Sequence, residues 1–140
     1  MPDEMLVLPL DESTDERGLS FSIIEDQIAR IGTVRDVHIA AIGPGCTRGN
    51  HYHARRTELI AVVFRDTWSL HWDTGHESKT HHRTFDGRGA VLVLPPRGWS
   101  HAVRNDGGVD MWIFAASNRP YDRHDPDESR RDAIRRIVTD

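Results

Sequence analysis

Gly45-Cys46-Thr47-Arg48-Gly49-Asn50-His51-Tyr52-His53-Ala54-Arg55-Arg56-Thr57-Glu58 is the stretch from which the rest of the chain can be read. His51 and His53 are two apart, a spacing that puts both imidazoles on one face of a strand. Glu58 follows a short polar run that can form a turn. Two imidazoles and one carboxylate within eight residues suit a divalent first-row metal ion. His101 is a fourth candidate, beyond the next block of predicted strands.

Working outward, the flanks read as strands. Glu58 to Arg65 is rich in strand formers, with Glu58, Ile60, Val62 and Phe64 on one face. Val34 to Ile42 places His38, Ala40 and Ile42 together, before the turn Gly43-Pro44-Gly45. Thr67 to Asp73 alternates Trp68, Leu70 and Trp72 against Ser69, His71 and Asp73. Thr80 to Phe85, Ala90 to Leu94, Ser100 to Arg104 and Val109 to Ala116 follow, with turn residues between them. In the last of these, Trp112 and Phe114 share a face. Met5 to Leu10 is a strand in which Pro9 argues for an edge or an end. Leu19 to Ile24 is a further strand, and Glu25 to Ile31 is either a helical turn or a loop. Asp125 as N-cap, Pro126, and the apolar Ala133, Ile134, Ile137 and Val138 predict a C-terminal helix over about 126–138. About nine short strands with frequent turns predict an all-β barrel or sandwich. One domain over 1–140 is expected, with its core over about 34–117.

The bulk numbers exclude several classes. Eighteen basic and 22 acidic residues give a net charge of −4, which favours neither nucleic acid nor an anionic membrane as partner. Cys46 is the only cysteine, which fits a reducing compartment. There is no apolar run of about 18 residues and no basic-then-apolar start, so a cytoplasmic protein with no membrane span is expected.

Two longer patterns carry a resemblance. Gly45, five residues, His51-x-His53, four residues and Glu58 form the first. Pro96-x-Gly98, two residues, His101, three residues and Asn105 form the second. Both resemble the paired motifs of the cupin superfamily. The first departs in having Arg65 where the family closes with glycine; in the second, Gly89 lies one residue farther from Pro96 than usual. The resemblance implies a single-domain cupin β-barrel, or jelly roll. It also implies one divalent metal ion held by His51, His53, Glu58 and His101: zinc first, with iron, manganese, nickel or cobalt as alternatives.

A narrower resemblance lies inside the first motif. Arg48-Gly49-Asn50-His51-Tyr52-His53 is similar to the signature of nucleotide-sugar cupins, with Asp15-Glu16-Arg17-Gly18 upstream and Ser117 to Asp122 and Asp125-Pro126-Asp127 downstream. That branch includes dTDP-4-dehydrorhamnose 3,5-epimerases, 3,4-ketoisomerases and, most similar in this run, the zinc-binding cupin domain of capsular-polysaccharide reductases. It implies a nucleotide-linked keto sugar as substrate, epimerised or isomerised through an enolate, and a homodimer in which the N-terminal strand can pair across the interface. In the metal-free epimerases the histidine matching His51 is the base. A ligating imidazole is not free to take a proton, so His71, His81, His82 or Tyr121 would then move it. Arg17 and Arg48 are candidates for the diphosphate, or else structural ion-pair partners. Trp72 and Trp112 can stack on a sugar or base, or simply pack in the barrel or a dimer interface.

The alternatives are another metal-dependent cupin enzyme, such as a dioxygenase, and a non-catalytic sugar-binding cupin. Arginine in the same cavity as His51 favours the sugar-nucleotide reading. A dry aromatic cavity favours the dioxygenase, and a filled barrel the binding module.

Overall fold

A computed structural model describes residues 3–75, 77–120 and 137–138. Two antiparallel sheets face each other in a jelly-roll sandwich. The strands are β1 (Leu6–Pro9), β2 (Asp11–Glu12), β3 (Phe21–Ser22), β4 (Asp36–Ile42), β5 (Thr47–His51) and β6 (Glu58–Phe64). They continue with β7 (Trp68–Trp72), β8 (His81–Phe85), β9 (Gly89–Leu94), β10 (His101–Asn105) and β11 (Met111–Ser117). One sheet runs β1-β9-β6-β11-β4 and the other β5-β10-β7-β8, with β2 and β3 as a small separate pair. Glu25 to Ile31 resolves as a one-turn helix, α1 (Glu25–Ile28), running into a 3-10 turn, Ala29–Ile31. The strand expected over Leu19 to Ile24 shrinks to Phe21–Ser22. The predicted helix over 126–138 lies outside the described residues except for Ile137 and Val138, which have no regular structure.

Sheet position explains the strand compositions. β6 is the centre of the five-stranded sheet. Ile60, Val62 and Phe64 face the core between the sheets, with Trp68, Leu70, Trp72, Val93 and Val103. Leu59 and Ala61 face the other way, into a second apolar cluster with Leu10, Ile31 and Leu92. The segment around β2, β3 and α1 covers that outer cluster, so β6 and β9 are apolar on both faces. Such strands read as continuous rather than alternating runs. Pro9 does sit at an edge, since β1 ends the sheet and pairs with β9 of its own chain. Met5 and β1 therefore belong to the core, which begins well before residue 34.

Asn105, the last residue of β10, is buried and knots three segments together. Its amide nitrogen donates to the carbonyls of Ile42 (2.8 Å) and Val109 (2.7 Å), and its side-chain oxygen accepts from the Gly107 N–H at 3.0 Å. Asn105→Ala strands those backbone groups and is expected to cost roughly 2–4 kcal/mol. Urea denaturation measures it, and a loss below about 1 kcal/mol would mean that the knot is dispensable.

Candidate metal and sugar site

The end of β5, the turn after it and the starts of β6 and β10 bring four side chains together. His51, His53, Glu58 and His101 each offer one ligand atom, and all these atoms lie within 4.8 Å of one another. Glu58 Oε1 is 2.9 Å from the Nε2 atoms of both His53 and His101. The His51 ring stands 4.8 Å from that of His53 and 4.9 Å from that of His101, centre to centre. His53, Glu58 and His101 are buried, and His51 is partly exposed. The convergence does not follow from strand alternation alone, because β5 ends at His51 and His53 lies just past it.

The electrostatics keep the His51 imidazole neutral and the Glu58 carboxylate charged. Burial, reinforced by His101 and His53, lowers His51 from 6.5 to about 3. For Glu58 burial opposes ionisation, but hydrogen bonds with His101 and His53 outweigh it and hold the carboxyl well below its usual range. Those are the forms that bind a cation.

The donor set fits a metal on a further ground. His101 Nδ1 lies 3.3 Å from the Trp99 carbonyl oxygen, and Nε2 lies 2.9 Å from Glu58 Oε1. A neutral imidazole has one N–H. Either tautomer therefore turns a lone pair toward one of these oxygens. A second proton would relieve the conflict, and so would a cation held by His101 and Glu58. His101 would then keep its Nδ1–H for the Trp99 carbonyl, the kind of outer partner that orients a ligating histidine. These four residues can thus hold a divalent ion.

A cavity of about 130 Å³ opens onto this cluster. His51, Glu58 and His101 form one wall, Ile60, Val103 and Ile113 an apolar one, and His38 and Arg48 also line it. Arg48 Nε donates to the Ala41 carbonyl at 3.0 Å, which ties β5 to β4 beside the cavity.

Other candidates from the sequence fall elsewhere. Arg17 is exposed, pairs with Asp15, and lines a separate shallow hollow with Ser13, Gly18 and Ser20. Trp72 is buried in the core, its Nε1–H donating to the Asp3 carbonyl at 2.9 Å. Trp112 is 51% exposed, on the opposite side of β11 from the cavity-lining Ile113. His71 lies outside the cavity, with Nε2 2.8 Å from Ser69 Oγ and its ring stacked 5.7 Å from that of His82. His81 stacks on Trp72. Tyr121 is outside the described residues. Sequence reading did not single out His38. The available signal was its sharing a face with Ala40 and Ile42, both of which point inward.

Residues 13–129 match the family described as polysaccharide biosynthesis C-terminal domain. A UDP-2-acetamido-2,6-beta-L-arabino-hexul-4-ose reductase of Pseudomonas aeruginosa is 31% identical over 84 residues, covering 60% of this chain and 22% of the reductase. The chain thus corresponds to about a fifth of that relative's length. The crystal structure of capsular polysaccharide assembling protein CapF from Staphylococcus aureus superposes with a TM-score of 0.60 at 24% identity, covering 85% of this chain and 31% of CapF. A dTDP sugar isomerase from Desulfovibrio desulfuricans superposes at 0.70 with 14% identity, covering 96% and 89%. No helix among the described residues is long and apolar enough to cross a membrane. With the match spanning most of its length, the chain belongs to the polysaccharide biosynthesis C-terminal domain family.

Proposed function

We propose that this protein is a metal-dependent epimerase or isomerase of a nucleotide-linked keto sugar. The observation that carries the reading is that Arg48 lines the same cavity as His51, Glu58 and His101. The cavity is neither filled nor walled by tryptophan, which sets the dioxygenase and binding-module readings behind. The Pseudomonas relative is named for a UDP-linked hexul-4-ose, a sugar with its carbonyl at C4. At about 130 Å³ the cavity takes only the reacting end of such a molecule. The diphosphate would then lie at the mouth, where the Arg48 guanidinium can pair with its oxygens.

The zinc ion, or a similar divalent ion, would be held by His51, His53, Glu58 and His101, and would supply Lewis-acid polarisation of the keto oxygen. Arg48 fixes the substrate's orientation. The apolar wall of Ile60, Val103 and Ile113 keeps water from the acidic carbon. His51 serves as a ligand and not as the base, since an imidazole of pKa about 3 is a poor proton acceptor near neutrality. His38, which lines the cavity, takes the proton-carrying role that sequence reading gave to His71, His81, His82 or Tyr121.

Deuterium wash-in from D₂O into a panel of nucleotide-linked 4-keto sugars tests this. Exchange at C3 or C5 is expected, abolished by chelation and lowered about 100-fold or more by His38→Gln. Exchange that survives complete metal removal would overturn the ligand role of His51. No exchange with any sugar would end the epimerase reading.

A further inference from the structure

β5 pairs with β10 through a bulge. His51 lies opposite His101, and Gly49 lies opposite Ala102, so two steps on β5 match one on β10. Asn50 is the extra residue, with a φ of 59° that side-chain-bearing residues seldom adopt. Gly49 beside it has a φ of 98°, and a Cβ there would sit 2.6 Å from the His101 carbonyl oxygen. The backbone of the motif strand is therefore pressed against the strand that carries His101.

The bulge has a consequence for the site. Arg48 and His51 are three residues apart, and on a regular strand they would point to opposite faces. With Asn50 as the extra residue, both line the cavity.

The chain's own C-terminal residues grip that bulge. Asn50 Oδ1 accepts from the N–H groups of Ile137 (3.0 Å) and Val138 (2.9 Å), and Asn50 Nδ2 donates to the Val138 carbonyl at 3.0 Å. Asn50 and Val138 are both buried. β5 is the edge of its sheet, so a side-chain amide here does what a neighbouring strand's backbone would otherwise do.

We propose that Asn50 is a positioning residue, and that Ile137–Val138 is a built-in clamp which holds the bulge so that Arg48 and His51 face the same cavity. Residues 137–138 are then part of the site although they lie 87 and 88 positions from Asn50 in sequence. The zinc readout below rests on the metal reading; the exchange readout does not.

Four variants separate the clamp from the backbone angle. Asn50→Gly tolerates the positive φ but removes the amide. Asn50→Ala removes both. Asn50→Asp keeps the acceptor for both N–H groups. A chain stopped at residue 136 keeps Asn50 and removes its partners. Zinc affinity by chelator competition is expected to fall about tenfold or more in the Gly, Ala and shortened forms, with the far-ultraviolet spectrum unchanged. Asn50→Asp, which keeps the two acceptor contacts but loses the donor to the Val138 carbonyl, is expected to lose less than Asn50→Ala. In metal-free protein, amide exchange at Gly49 to His51 speeds up in the same three forms. Parental zinc affinity in Asn50→Gly and the shortened chain would overturn the proposal, because the clamp would then have only a stabilising role. If the parent binds no zinc, the metal reading fails on its own, and unchanged amide exchange in Asn50→Gly would then overturn the clamp.

Discussion

Glu58→Gln is expected to lower zinc affinity more than about 100-fold while leaving the jelly roll folded. Losing an outer-shell partner of a metal ligand costs about 10–100-fold, and Glu58 is proposed as a ligand itself. Its Oε1 lies 2.9 Å from two imidazole nitrogens and is the only anionic donor in the four-residue cluster. Glutamine keeps the volume and an acceptor oxygen but removes the charge that draws a divalent ion into a buried site. The charge adds to stability, but β6 is also held by Leu59, Ile60, Val62 and Phe64 in two apolar clusters, so the variant is expected to stay folded. Chelator competition gives the affinity and circular dichroism the fold. A glutamine variant that binds zinc like its parent would show that the ion, if any, sits elsewhere.

Much of the framework is legible in the sequence because burial imposes periodicity. The alternation of Glu58, Ile60, Val62 and Phe64 is that of a strand with one face in the inter-sheet core. Pro9 marks an edge because it cannot donate to a ladder on that side. The spacing of His51, His53, Glu58 and His101 encodes a cluster whose members meet although 43 residues separate Glu58 from His101.

What was not legible is which face borders empty space. On β11 the sequence offers Trp112, large and aromatic, as the candidate for stacking on a sugar or base. The cavity instead borders Ile113 and Ala115, next to Ala40 and Gly49. A cavity forms where side chains are small, so its sign in sequence is alanine and glycine at facing positions rather than tryptophan. The pairing of Ala115 with His38 across β11 and β4 also explains why His38 reaches that space unannounced. The bulge at Asn50 was hidden for a different reason. One extra residue reverses the parity of everything before it, and Asn50 adopts its positive φ beside a segment that is remote in sequence.

Acidification of the metal-free protein is expected to destabilise it well before ordinary carboxylates titrate. His51 has a folded pKa of about 3 against 6.5 in an exposed state. Between those values the unfolded chain binds a proton that the folded chain refuses, so stability rises with pH across that window and falls as pH drops. The slope is about 1.4 kcal/mol per pH unit for one proton, or roughly 2–3 kcal/mol between pH 6.5 and 4.5. His71 is lowered too, first by burial and then by Arg104 and His82, and adds to the same trend. Glu58 acts later in the same direction: its depressed pKa gives stability that is present above about 4.5 and is lost as pH falls toward its folded value. Urea denaturation in the presence of a chelator at pH 7, 5.5 and 4.5 measures the sum, and His51→Asn should flatten the upper part of the curve. A stability that is level from pH 7 to 5 would mean that His51 is not held as a neutral imidazole. The same neutrality is what a metal requires of it. The group that weakens the empty fold in acid is thus the one that leaves the cluster ready for a cation at neutral pH without first shedding a proton.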